Sequence, residues 1–128
     1  MASETQRPVQ RMVPCKKLPT LQGEVIVALT PEGKVKNAIK KVLKEQGIWY
    51  YMPVQNGMGV VGIPDFICCA VGKFIAIEAK APGKADMLTA NQKRVRDQLL
   101  DAAGWHLVVD DVDYLKAMLE IILKRRIK

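Results

Sequence analysis

Besides Lys73 at its turn, three charged side chains interrupt an otherwise apolar stretch of this chain, VGIPDFICCAVGKFIAIEAK at 61–80: Asp65, Glu78 and Lys80. From Phe74 to Lys80 a period of two puts Phe74, Ala76, Glu78 and Lys80 on one strand face and Ile75, Ile77 and Ala79 on the other. A hairpin turning at Gly72-Lys73 pairs Asp65 with Lys80, so within one residue of register Asp65 lies next to both Glu78 and Lys80. Two carboxylates held together without a fully matching protein cation repel one another, and a hard divalent cation such as Mg²⁺ is their natural neutraliser. Mg²⁺ takes one or two carboxylates and fills its remaining positions with water and phosphate oxygens. A neighbouring lysine then orients or deprotonates an attacking water, or offsets charge on a pentavalent transition state. The bland alternative is a Pro64-Asp65 turn with Glu78 and Lys80 as an exposed pair at a strand end.

Two further residues pose the same choice. Glu32 precedes Ile39 by seven and Leu43 by eleven, so it lies on the apolar face of its helix, where a carboxylate needs a partner. A first-turn acid is also favoured by the helix dipole alone. Gln92 closes a capping box, TANQ from Thr89, and also shares a helix face with Val95 and Leu99 that points toward the sheet, so capping and site roles can alternate. GMGVVG at 57–62 matches G-x-G-x-x-G, but a strand follows it where the dinucleotide fingerprint requires a helix, so the glycines read as a pliable loop at the site's mouth. Asn56, Tyr50 and Tyr51 beside it are placed to touch nucleic acid, with core packing the alternative for the tyrosines.

Periodicity supplies the helices and strands around these residues. TPEGKVKNAIKKVLKEQG is a helix with Thr30 as N-cap, Pro31 at the first position and Gly47 as terminator. Val35, Ile39, Val42 and Leu43 form its buried stripe, and Lys36, Lys40 and Lys44 an opposite, solvated face. IWYYM at 48–52, Asp65 to Val71 and Phe74 to Lys80 read as three successive strands. Thr89 to Ala103 is a second helix, WHLVVD a fourth strand, and Val112 to Arg126 a third helix. The order α-β-β-β-α-β-α predicts an α/β fold: an antiparallel meander, then a strand returned through the second helix to complete a mixed four-stranded sheet flanked by helices. Residues 1–23, with Pro8, Pro14 and Pro19 among basic residues, read as an extended basic arm, and EVIVAL at 24–29 as a short strand. Residues 24–128 then make a single domain.

Glu32, GIPD ending in Asp65, IEAK with Glu78 and Lys80, and LTANQ with Gln92 together resemble the VRR-NUC family of PD-(D/E)xK nucleases. The resemblance runs in order through residues 30–110 and is nearest to stand-alone, phage-type members across TPEGKVK and PVQNGMGVVGIPD. It implies a restriction-endonuclease-like α-β-β-β-α-β core. Glu32, Asp65 and Glu78 match the acidic metal-binding positions, Lys80 the catalytic lysine and Gln92 an accessory polar position, with the Ala79 carbonyl completing the metal shell. It further implies Mg²⁺ or Mn²⁺ as cofactor and a homodimer that cuts branched DNA, Holliday junctions included, in the cytoplasm of a bacterial or phage-infected cell.

Composition agrees with an anionic partner: 20 Lys and Arg stand against 13 Asp and Glu, a formal charge of +7, which favours nucleic acid. Lys73, Lys84, Lys93, Arg94 and Arg96 are candidate phosphate contacts that position a duplex without reading its sequence. No apolar run is long enough to span a membrane, and the N-terminus does not read as a cleavable leader. Cys15, Cys68 and Cys69 include no C-x-x-C pair, and they read as small buried hydrophobes in a reducing compartment. His106, the only histidine, reads as a packed strand residue. Tyr114 and Met118 on the last helix are candidates for a dimer surface. The rival reading is a non-catalytic DNA-binding or recombination-accessory module, and a variant of the enzyme reading changes the target to flaps, nicks or linear ends.

Overall fold

A computed structural model of the chain describes residues 29–54 and 59–127. The arm at 1–23, the strand read at 24–28, Cys15 and Asn56 lie outside the described residues; Leu29 is described and belongs to no strand. The elements run α1 (Pro31–Glu45), β1 (Trp49–Tyr51), β2 (Phe66–Ala70), β3 (Lys73–Ala79), α2 (Ala90–Asp101), β4 (Trp105–Val109) and α3 (Val112–Leu123). They form one α/β unit whose four-stranded sheet has the order β1-β2-β3-β4, antiparallel through β3 and parallel between β3 and β4.

Local chemistry accounts for the helix ends. Thr30 Oγ1 accepts from the Gly33 N–H at 3.0 Å, and Pro31 occupies a position whose N–H would have no helical acceptor. At the other end Gly47 takes φ +67, which releases the chain toward β1. Asp111 caps α3 by accepting from the Asp113 N–H. That helix stops at Leu123 and not at Arg126, because Lys124 turns left-handed at φ 56 and the Ile127 N–H instead donates to Glu120 Oε2.

The sheet has two unlike faces. Phe66, Cys68, Ile75, Ile77, Ala79, Leu107 and Val109 pack against Val35, Ile39, Val42 and Leu43 of α1 and Leu115, Leu119 and Ile122 of α3. The other face carries Ala76, Glu78, His106 and Val108 in register, with α2 laid over it and Val95 buried beneath. Cys68 and Cys69 face opposite sides as adjacent strand residues must, so Cys68 is buried while Cys69, read from sequence as buried, is exposed. Burial alone pushes the Cys68 thiol up to about 12, leaving it an inert core residue.

The β2–β3 turn differs from the sequence expectation. It is Val71-Gly72, with φ of 47 and 76, the positive pair a two-residue type I′ hairpin needs. Ala70 therefore faces Lys73 and Phe66 faces Ile77, and continuing this register sets Asp65 opposite Glu78, where the sequence count had Lys80. A β-branched residue rarely adopts this conformation, and Val71 concealed the turn.

Candidate active site

The candidate site lies at the end of β3, where α1, β2 and α2 converge. Glu78 is 4% exposed, the one charged residue buried among those described. Its Oε2 accepts from Gln92 Nε2 at 3.1 Å, while its Oε1 is buried without a hydrogen-bond partner among the described residues. Burial pushes the Glu78 carboxyl up to about 8, and the adjacent Asp65 adds to the shift; Lys80 opposes it and Glu32 adds a little.

Asp65 stands just ahead of β2. Its Oδ2 accepts from the Ala79 N–H at 2.9 Å, which ties the loop end to the last residue of β3. Its Oδ1 lies 3.3 Å from Lys36 Nζ, and the same ammonium is 3.3 Å from Glu32 Oε2. Burial pulls Lys36 down, but the Asp65 and Glu32 carboxylates outweigh it and hold the lysine above its ordinary value. Lys36 is thus part of the site and not of a solvated face. Its place one helical turn after Glu32 was the available signal. Glu32 itself, its side chain 43% exposed, is linked to Asp65 through Lys36.

Gln92 performs its two roles together. Its Oε1 accepts from the Thr89 N–H at 2.9 Å, completing the capping box, and from Lys80 Nζ at 3.0 Å. Its Nε2 serves Glu78, so one amide fixes both the lysine and the buried carboxylate. This arrangement replaces the alternation expected from sequence.

The residues read as phosphate contacts divide. Lys93 and Arg94 are exposed on the first turns of α2 and Lys84 on the loop before it. Arg94 also reaches the Val61 carbonyl at 3.3 Å and the Asn91 side chain. Arg96 is engaged with Asp97. Lys73 begins β3, about 17 Å from Glu78 at strand rise, and so lies away from the site. Among the aromatics, Tyr50 packs on Phe66 with ring centroids 5.8 Å apart, whereas Tyr51 is exposed. His106 is half-buried on the α2 face, where burial and then Arg96 lower its pKa, and its Nδ1 has no partner among the described residues.

The donor set fits a hard cation that keeps its own water. No group of three His, Cys, Asp or Glu side chains gathers as a metal cage among the described residues, but Mg²⁺ needs only one or two carboxylates. Asp65 and Glu78 supply two, and the unpartnered Glu78 Oε1 is a buried oxygen left for a ligand. A groove of ≈ 420 Å³ between Pro31, Val35, Pro82 and Val112 contains none of these residues. Among the described residues no helix is long and apolar enough to cross a membrane. Comparison with family models, curated proteins and solved structures finds no match to the chain.

Proposed function

We propose that the chain is a metal-dependent, structure-selective DNA endonuclease with a restriction-endonuclease-like core, hydrolysing phosphodiesters in branched DNA as a Holliday-junction resolvase does. The observation that carries this reading is the pair Asp65–Glu78 with one unpartnered buried oxygen, set beside a lysine whose amine is fixed by Gln92. Asp65, Glu78 and the Ala79 carbonyl would hold Mg²⁺ or Mn²⁺, with Glu32 supporting directly or through water. The bound ion supplies Lewis acidity at the phosphoryl oxygen.

This chain's own side chains do the rest. Lys80, held by Gln92 Oε1, orients the attacking water or stabilises the charge that develops on the phosphorane. Glu78 gives up its raised affinity for a proton when a cation replaces it. Lys84, Lys93 and Arg94 take backbone phosphates near the site. Two active sites on a junction imply a homodimer, for which Tyr114, 44% exposed on α3, is a surface candidate; Met118 packs partly against the core.

The Lys36–Asp65 ion pair favours a second reading. A carboxylate already matched by a protein cation suits a non-catalytic DNA-binding module, with the acidic cluster structural. Asp65→Asn separates the two on a labelled four-way junction, a 5′ flap and a plain duplex, each with Mg²⁺, Mn²⁺ or EDTA. The nuclease loses metal-dependent cleavage while keeping DNA binding; the binding module shows no cleavage in either form.

A further inference from the structure

Among the described residues, the α2-side face of the sheet is only half covered. Strand register lines up Trp49 with Cys69 and Phe74, and in the next row Tyr51 with Ile67 and Ala76. Glu78 stands on this same face, one row beyond Ala76, with Asp65 opposite it. α2 closes the β3–β4 half, but Trp49 and Tyr51 are 63% and 53% exposed and Phe74 41%. Tyr50 between them folds onto the core, whereas Trp49 and Tyr51 set two adjacent aromatic rings on one face, leading away from a carboxylate pair.

We propose that Trp49 and Tyr51 form a stacking platform for unpaired nucleotides flanking the scissile phosphate. The assignment deepens the nuclease reading and rests on it for the meaning of scissile. Residues two apart on a strand are separated by about 6.7 Å, whereas bases in a duplex rise by about 3.4 Å. Rings at twice the stacked spacing match bases that have come apart, and duplex DNA does not offer base faces to a flat sheet. Tyr51 lies in the row next to Asp65, so a strand leaving the site meets Tyr51 first and Trp49 second. The chain's charge of +7 and the exposed Lys93 and Arg94 beside this face suit the backbone of the same strand. The occupant is thus a single-stranded arm, as in a fork, a flap or an opened junction.

The test uses the full chain in EDTA, so that binding is read without cleavage. Binding is read as the fluorescence anisotropy of a labelled thymidine oligonucleotide, forked duplex or blunt duplex for the wild type, Trp49→Ala and Tyr51→Ala, and Trp emission is followed in the wild type and Tyr51→Ala. Quenching by the oligonucleotide and the fork is expected, with about tenfold weaker binding for each ring removed and unchanged affinity for blunt duplex. Sedimentation of the same proteins gives the oligomeric state. Equal single-strand affinity in wild type and variants overturns the proposal. So does a dimer that Trp49→Ala dissociates and that the oligonucleotide does not compete with, which makes this face a contact between copies. A chain that never cuts DNA yet shows Trp49-dependent single-strand binding keeps the platform and removes the nuclease reading, so the two fail separately.

Discussion

At Glu78, burial and the neighbouring Asp65 both favour the protonated carboxyl, which reverses the pH dependence carboxylates usually give a folded protein. A folded value near 8 against an ordinary value of 4.5 means the native state binds the extra proton between them. Metal-free protein therefore loses stability as pH rises through that window and levels off above it. Urea unfolding in EDTA at pH 5, 7 and 9 should show this fall, and Glu78→Gln should flatten it. Lys80 makes a different prediction, because its amine is positioned by a neutral amide. Lys80→Ala should lower single-turnover cleavage on the order of a hundredfold or more with little change in DNA affinity. The placement of site residues was legible where spacing along one strand or one helix carried it, as for Glu78, Lys80 and Gln92. It was hidden where the third dimension did, as for Lys36, whose partner Asp65 is on another element.

The elements hold these groups through a few unusual joints. Gly62 sits at φ +90, and a Cβ there would come within 2.5 Å of the Asn91 backbone. The loop that delivers Asp65 therefore packs on the first turn of α2 through a residue that only glycine satisfies. Gly62→Ala should lower stability by about 2 kcal/mol in thermal melts and also impair cleavage, since the displaced loop carries Asp65. Thr89→Ala provides the contrast: it removes the cap that accepts from the Gln92 N–H and should cost about 1 kcal/mol. Gln92→Ala adds to that the loss of the Glu78 and Lys80 contacts, and so should reduce activity far more than its effect on melting suggests. Helix starts were readable because Thr30 and Thr89 announce them locally. The hairpin turn was not, because Val71 adopts a conformation its side chain disfavours, and the two-step difference in register is what sets Asp65 against Glu78.

For the whole molecule, the order of elements and the mixed sheet followed from alternating apolar patterns, which need only the neighbours-first rule to assemble. The unequal covering of the two faces did not follow, since nothing in a three-residue strand states whether a helix will lie over it. The core face is closed by α1 and α3, and truncating Leu119→Ala in its centre should cost about 2–5 kcal/mol by urea denaturation. The hydrogen bonds of the site itself join residues 65 to 92, all from the meander, the following loop and the start of α2. The core, in contrast, needs α1 and α3, from either end of the described chain. In kinetic terms this separates two kinds of assembly. Contacts among residues 65 to 92 close short loops and can form early, whereas joining α1 to α3 requires the ends of the fold to meet and governs the slow part of the reaction. The Asp65–Ala79, Gln92–Glu78 and Gln92–Lys80 contacts of the candidate site should accordingly be present in the folding transition state before α1 brings in Lys36 and the hydrophobic core closes over the sheet behind them.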